Sequence, residues 1–249
     1  MSLFSAAIWW LLDLTLVCVL YRGWKAKMLA RYRYFYWYLL SVLCSEAIRA
    51  ALWVKDPADY SLVWWVTEGV TAVAGFGVTW QIYTRILAPY EGVNRMARVV
   101  LSFLFFAVLV KAAIGFAEDF PGNTADLERD LRSLQALLLV AIIALMARYA
   151  LPAGRNVRAM LLGYGLYIGT NLVAVSLRSV LGSSFEVWWR FLPEVEYSVT
   201  LIVWCAGMWS YSPDPVPDFA LEMDYEHISA QTLRGLERLR SHLTQPWRT

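Results

Sequence analysis

Seven stretches of this chain are apolar for long enough to cross about 30 Å of bilayer hydrocarbon as helices. They fall near residues 3–21, 34–53, 61–84, 97–116, 130–149, 159–182 and 189–210. A single soluble core cannot absorb seven such runs. Of the 249 residues 59% are hydrophobic and 17% charged, against about a quarter charged in an ordinary soluble domain. The expected fold is all-α: a polytopic bundle of seven transmembrane helices over residues 1–212, followed by a tail over 213–249. Turn signals separate the runs at Asp56-Pro57, Pro89-Tyr90-Glu91-Gly92, Pro121-Gly122-Asn123 and Pro152-Ala153-Gly154.

Charge orients the bundle. The connections 22–33, 85–98 and 148–158 hold eleven Lys/Arg and one acid, Glu91. The connections 54–60, 117–132 and 183–190 hold four Lys/Arg and eight acids. The excess of Lys/Arg on one side predicts that side to be cytoplasmic, with the N-terminus outside and the C-terminus inside. The first basic residue is Arg22, so the N-terminus lacks the basic region of a cleaved signal peptide and reads as the first span.

The aromatic residues fall into two groups. Trp9, Trp10, Trp53, Trp64, Trp65, Trp188 and Trp189 fall near the outer boundary. Tyr21, Tyr32, Tyr34, Tyr36, Tyr83, Tyr90, Tyr149 and Tyr164 fall near the inner one. Interfacial belts are the expectation, with a sharper reading in which the doubled tryptophans line an outer site. Cys18, Cys44 and Cys205 all lie in apolar runs and read as buried structural thiols. Gly165-x-x-x-Gly169, with Gly163 before it, and Gly69, Gly75 and Gly77 in the third run predict close helix contacts inside the bundle. Arg49 and Arg178, Glu68 and Glu196, and Tyr83 and Tyr211 recur at nearly constant separation, which reads as a weak 3+1+3 parallel repeat.

Ionisable groups inside spanning helices are costly and face the bundle interior. Here they share the outer half: Glu46 and Arg49 in the second run, Glu68 in the third, and Lys111 in the fourth. Arg132 and Gln135 open the fifth, Arg178 ends the sixth, and Glu194 and Glu196 begin the seventh, just after Pro193. Asp13 sits nearer the midplane. One reading is an ion-pair network that fixes helix register; the other is an outer vestibule for a small polar or amphiphilic ligand. A path across the membrane would need polar stations in the inner half, where only Gln81 and a few hydroxyls lie.

Several chemistries are disfavoured. Both histidines, His227 and His242, lie in the tail, which removes histidine-ligated metals, bis-histidine haem and a serine triad from the helices. No phosphate-binding G-x-x-x-x-G-K-[ST] occurs, and the seventh run has no lysine for a retinal Schiff base. No cofactor or metal is expected, and an enzyme would have to work with carboxylates alone. The tail starts with Pro213, Pro215 and Pro217, continues through an acidic stretch, and reads as a basic amphipathic helix over Ile228–Leu243. It would lie on membrane lipids or dock a partner through residues 218–243.

Arg132-x-x-Gln135, the apolar run ending in Arg148-Tyr149, Gly163-x-Gly165 and the proline-rich exit to a leucine-bearing tail are similar to a group of uncharacterised bacterial seven-helix membrane proteins. The resemblance covers most of the chain. It implies a multi-pass protein of the bacterial inner (plasma) membrane and brings no activity with it. The expectation is a non-enzymatic sensor, binding protein or membrane-complex subunit with an outer-leaflet polar site. A small-solute transporter of 3+1+3 type is the alternative.

Overall fold

The computed structural model describes residues 3–53, 57–115, 120–181, 186–214, 223–232 and 234. Among these there are helices and no strands. Seven long helices follow in order: α1 (Leu3–Lys25), α2 (Arg33–Trp53), α3 (Pro57–Ile86), α4 (Glu91–Gly115), α5 (Phe120–Tyr149), α6 (Arg155–Leu181) and α7 (Glu186–Met208). A short helix occupies 223–232 in the tail. Three segments are long and apolar enough to cross a membrane: Leu62–Ile86, Glu91–Ile114 and Asp126–Tyr149.

Several helices outrun their apolar stretches. α5 begins at Phe120 rather than near 130, because Asp126–Arg129 and Glu128–Arg132 ion pairs at helical spacing support a polar first section. Pro121-Gly122-Asn123, expected as a turn, is the start of this helix, where a missing proline N–H costs nothing. Pro193, expected to open the last helix, is instead the eighth residue of α7. The tail helix starts at 223, not at Ile228, and so includes the acidic Asp224 and Glu226. The leucine face expected through Leu243 lies outside the described residues.

Two helix ends close without glycine. Lys27 and Ala150 have φ of 55° and 49°. The Met28 N–H reaches back to the Gly23 carbonyl (2.9 Å) and the Leu151 N–H to that of Met146 (3.1 Å). Both are six-to-one closures with a left-handed residue at the turn.

Six helices form a closed ring. α1 packs on α2, α2 on α3, α3 on α5, α5 on α6, α6 on α7, and α7 back on α1. α3 also reaches α6 across the ring, and α4 lies outside against α3 and α5. On α4, Phe103, Phe106 and Ile114 are all more than 60% exposed. The exposed apolar girdle continues over Leu137, Val140, Leu162 and Ile202. Contiguous apolar surface on this scale marks a surface made for a lipid or protein environment.

The ring interior at the end near 26–32, 87–90 and 150–154, which we call the basic end, is closed by aromatic and aliphatic packing. Trp204 is fully buried, edge-on to Phe35 at 5.2 Å and to Tyr38 at 6.1 Å. Leu16, Leu39, Ile82, Ile142, Met160 and Leu201 of the same core are at most 1% exposed. Gln81 ties α3 to the start of α2: its side-chain oxygen accepts from the Phe35 N–H (2.9 Å) and its amide donates to the Arg31 carbonyl (3.0 Å). Asn156 does the same at the chain's exit. Its amide donates to the carbonyls of Gly207 (2.8 Å) and Ser210 (2.9 Å), and its oxygen accepts from the Ser212 N–H (2.7 Å).

Three expectations about side chains change. Tyr32, Tyr36, Tyr83, Tyr90 and Tyr164 are buried in the core, not placed in an interfacial belt; Tyr21 alone of that group is strongly exposed. The hydroxyl of Tyr83 donates to the Leu138 carbonyl (2.6 Å), so the ring fills the bundle while its polar end is satisfied internally. Cys18 and Cys44 point outward rather than into the core. Gly165 and Gly169 face open space, so they make no close contact inside the bundle. The expected close approaches do occur at Gly75, where a Cβ would overlap the Tyr164 hydroxyl, and at Gly163. Trp204 lies against Gly163, where a Cβ would overlap the indole, and Ala159 lies against Gly207, drawing α6 and α7 together.

Gly163→Ala should therefore strain the core and lower stability by about 1–3 kcal/mol. Gly165→Ala should be neutral or stabilising by up to about 1 kcal/mol through helix propensity alone. Thermal unfolding of the two variants in detergent measures the contrast, which reverses if α6 packs by its Gly165 face.

Candidate functional site

At the end opposite the basic connections the ring does not close. It encloses a cavity of about 430 Å³ lined from all six ring helices. This size lies within the range of small-molecule sites. The walls differ in kind: α2, α3 and α5 carry bonded charges, whereas α7 and α1 carry carboxylates without a described basic partner.

Glu68 on α3 is the junction of the bonded wall. Its Oε2 accepts from Arg49 Nη2 at 2.7 Å, and its Oε1 accepts from Arg132 Nη2 at 2.9 Å. Arg49 also donates from Nε to Thr67 Oγ1 (2.8 Å) and has Glu46 Oε1 at 3.6 Å from Nη1. Its guanidinium lies over the Trp64 ring, 4.0 Å from the centroid. Arg132 is shared with Glu128, one helical turn earlier on α5. Both guanidiniums are nearly buried, with side chains 10% and 14% exposed. Buried charges persist only when paired and hydrogen-bonded, so this chain of contacts fastens α2, α3 and α5 to one another.

The facing wall holds Glu194 and Glu196 on α7 and Asp13 on α1. Among the described residues no Lys or Arg bonds any of the three. Glu196 is 7% exposed, lines the cavity, and its Oε1 has no hydrogen-bond partner. Tyr167 and Asn171 on α6, Tyr197 on α7 and Tyr38 on α2 complete the lining, and Trp9, Trp64 and Trp65 stand at its outer part. Trp10 points away and is 76% exposed, while the side chains of Trp188 and Trp189 lie outside the described ones.

Of the residues expected in an outer polar site, Glu46, Arg49, Glu68, Arg132, Glu194 and Glu196 line this cavity. Gln135 lies next to it without lining it. Its amide donates to the Ala72 carbonyl (3.2 Å), and its oxygen accepts from the Tyr164 hydroxyl (3.1 Å). Lys111 is not part of the site. It belongs to α4, outside the ring, where its exposed ammonium pairs with Asp130. The Arg178 side chain lies outside the described ones. The sequence reading missed Glu128, Tyr38, Tyr167, Asn171 and Tyr197, and left Asp13 out of the site. Glu128 was legible as the residue four before Arg132. The tyrosines carried no signal that separates a cavity wall from a core.

Among the described residues no group of three or more His, Cys, Asp or Glu is arranged to hold a metal ion. The cavity's carboxylates are spread around a ring of helices, not gathered at one point. Comparison with known proteins finds no matching family model, curated protein or solved structure.

Glu68→Gln should cost about 3 kcal/mol or more, because two buried guanidiniums lose their shared countercharge. Glu196→Gln breaks no hydrogen bond or ion pair among the described residues and should leave stability unchanged or raised. Thermal midpoints in detergent decide; equal losses at the two positions contradict this division of the walls.

Proposed function

We propose that this chain is a seven-helix, multi-pass integral membrane protein that binds a small polar or amphiphilic solute in its ring cavity. It serves as a sensor, a binding protein or a subunit of a membrane complex rather than as an enzyme. The observation that carries the reading is a cavity open within the ring at one end, above an apolar layer that fills the ring at the other. Three segments meet the length and composition of a membrane span, and the exposed apolar girdle over α4, α5, α6 and α7 favours extending the same role to the whole bundle.

The basic connections favour a cytoplasmic position for the end where α1, α3 and α5 finish. The cavity then opens from outside the cell and reaches down to the middle of α1 and α3 at Asp13 and Thr71. The resemblance to bacterial seven-helix proteins makes the bacterial inner membrane the location we propose. The ring's contacts favour two three-helix halves: α1–α2, α2–α3 and α3–α5 correspond to α5–α6, α6–α7 and α7–α1. In this reading α4 is the connector and takes no part in the site. The tail remains the proposed cytoplasmic contact; most of 218–243 lies outside the described residues.

Transport is the weaker reading. A solute leaving the cavity inward would have to part Trp204, Phe35, Leu39 and Leu201, each at most 1% exposed. Alternating access is generally built on discontinuous helices at the midplane, and α2, α3 and α6 run unbroken.

The reading is tested with purified protein in nanodiscs and in proteoliposomes against a panel of small amines, amino acids, sugars and organic acids. At least one solute should raise the thermal midpoint in a saturable way, since binding to the folded state stabilises it by mass action. The same solute should show no flux above empty liposomes. Saturable flux would establish the transporter instead, and a midpoint unmoved by every solute would contradict binding.

A further inference from the structure

The charges of the cavity indicate what kind of solute it takes. Six carboxylates line it, those of Asp13, Glu46, Glu68, Glu128, Glu194 and Glu196, against the guanidiniums of Arg49 and Arg132. The two arginines are paired with Glu46, Glu68 and Glu128, although Nη1 of Arg132 is buried without a hydrogen-bond partner. That leaves Asp13, Glu194 and Glu196 on the α1–α7 wall with no bonded cation among the described residues. Arg132 is near enough to Glu196 to exert a field on it but makes no hydrogen bond to it. Six carboxylates against two guanidiniums leave the lining short of positive charge, and the enclosed Oε1 of Glu196 accepts no hydrogen bond.

The rings point the same way. Among the described residues Tyr197 and Trp9 line the cavity with no guanidinium stacked on them, whereas Trp64 already holds that of Arg49. An aromatic face beside a carboxylate attracts a cation through its quadrupole and accommodates an apolar body. A metal ion would leave those faces unused, and the carboxylates are not grouped to ligate one. An anion would meet the uncompensated wall. A neutral polyol would satisfy hydrogen bonds but leave the charge excess unmatched.

We propose that the ring cavity binds a protonated amine carried on an apolar or aromatic body. Its N–H donors go to the Glu196 carboxylate and its charge faces the Asp13–Glu194 side, with Tyr197 and Trp9 receiving the body. This names the ligand class of the site proposed above and rests on that reading. The ammonium has two sources, a free organic amine or the ethanolamine headgroup of a membrane lipid, and both present the same N–H donors.

The test is isothermal titration of the full chain in phosphatidylglycerol nanodiscs with three probes of one shape: phenethylamine (protonated at pH 7), 2-phenylethanol (neutral) and phenylacetate (anionic). Phenethylamine should bind at least about tenfold more tightly than either of the others. Glu196→Gln and Asp13→Asn should each weaken it by about tenfold while the thermal midpoint holds. Repeating the titration in phosphatidylethanolamine nanodiscs separates the sources. Undiminished affinity identifies a free amine, and affinity lowered by competition identifies the headgroup; either is ammonium recognition at the same wall. Equal or tighter binding of the alcohol or the acid would overturn the cation assignment while leaving a binding cavity. Undiminished phenethylamine affinity in both folded variants would overturn the assigned wall. No binding by any probe in either lipid would overturn the assignment, and the thermal panel then decides whether the cavity binds at all.

Discussion

The bundle depends on how it keeps two guanidiniums out of water. Arg49 and Arg132 are each nearly buried, and both lean on one carboxylate, Glu68, from opposite sides. In a low-dielectric interior a guanidinium without its partner is far less stable than a paired one, so the three side chains constrain one another closely. Because they stand on α2, α3 and α5, the constraint fixes the rotation of three helices about their axes and the depth at which they meet. Glu46 and Thr67 add contacts to Arg49, and Glu128 adds one to Arg132.

Once that half of the ring is fixed, the remainder follows from shape. Gly163 admits Trp204 and Gly207 admits Ala159, so α6 and α7 close on each other at the basic end. The aromatic layer of Phe35, Tyr38, Tyr164 and Trp204 fills the interior there. Toward the other end the layer stops, and the wall formed by α7 and α1 faces the charged wall across the cavity. The cavity is the consequence. One side is a network of paired charges; the other carries acids that the described chain leaves without a cation. Stability and binding are therefore assigned to different residues of one cavity.

Much of this was legible in the sequence, for definite reasons. Apolar runs locate helices because only a helix satisfies its own backbone in hydrocarbon. Glu46 and Arg49 were readable as neighbours because residues three apart share a helix face. The clustering of Glu68, Arg132 and Glu196 followed from their equal depth along different helices. Other features depended on packing that no spacing encodes. Lys111 has the same depth as the site, yet α4 lies outside the ring, and depth alone does not say which helices surround a cavity. Tyr32, Tyr36 and Tyr90 look interfacial by position but fill the core, because a tyrosine near a helix end can turn either way. Gly165 and Gly169 form a small-xxx-small pair that faces open space, while the isolated Gly163 receives an indole. The start of α5 went unseen because ion pairs, rather than apolar residues, carry it.

The central claim is that the cavity opens to the outside and is closed from the cytoplasm. Asn171 lines it and makes a direct probe. Asn171→Cys, placed in a chain whose Cys18, Cys44 and Cys205 are replaced by serine or alanine, can be challenged with a membrane-impermeant thiol reagent. Labelling is compared between intact spheroplasts and inside-out vesicles. The account predicts modification in spheroplasts only. Modification from the cytoplasmic face, alone or in addition, would contradict it.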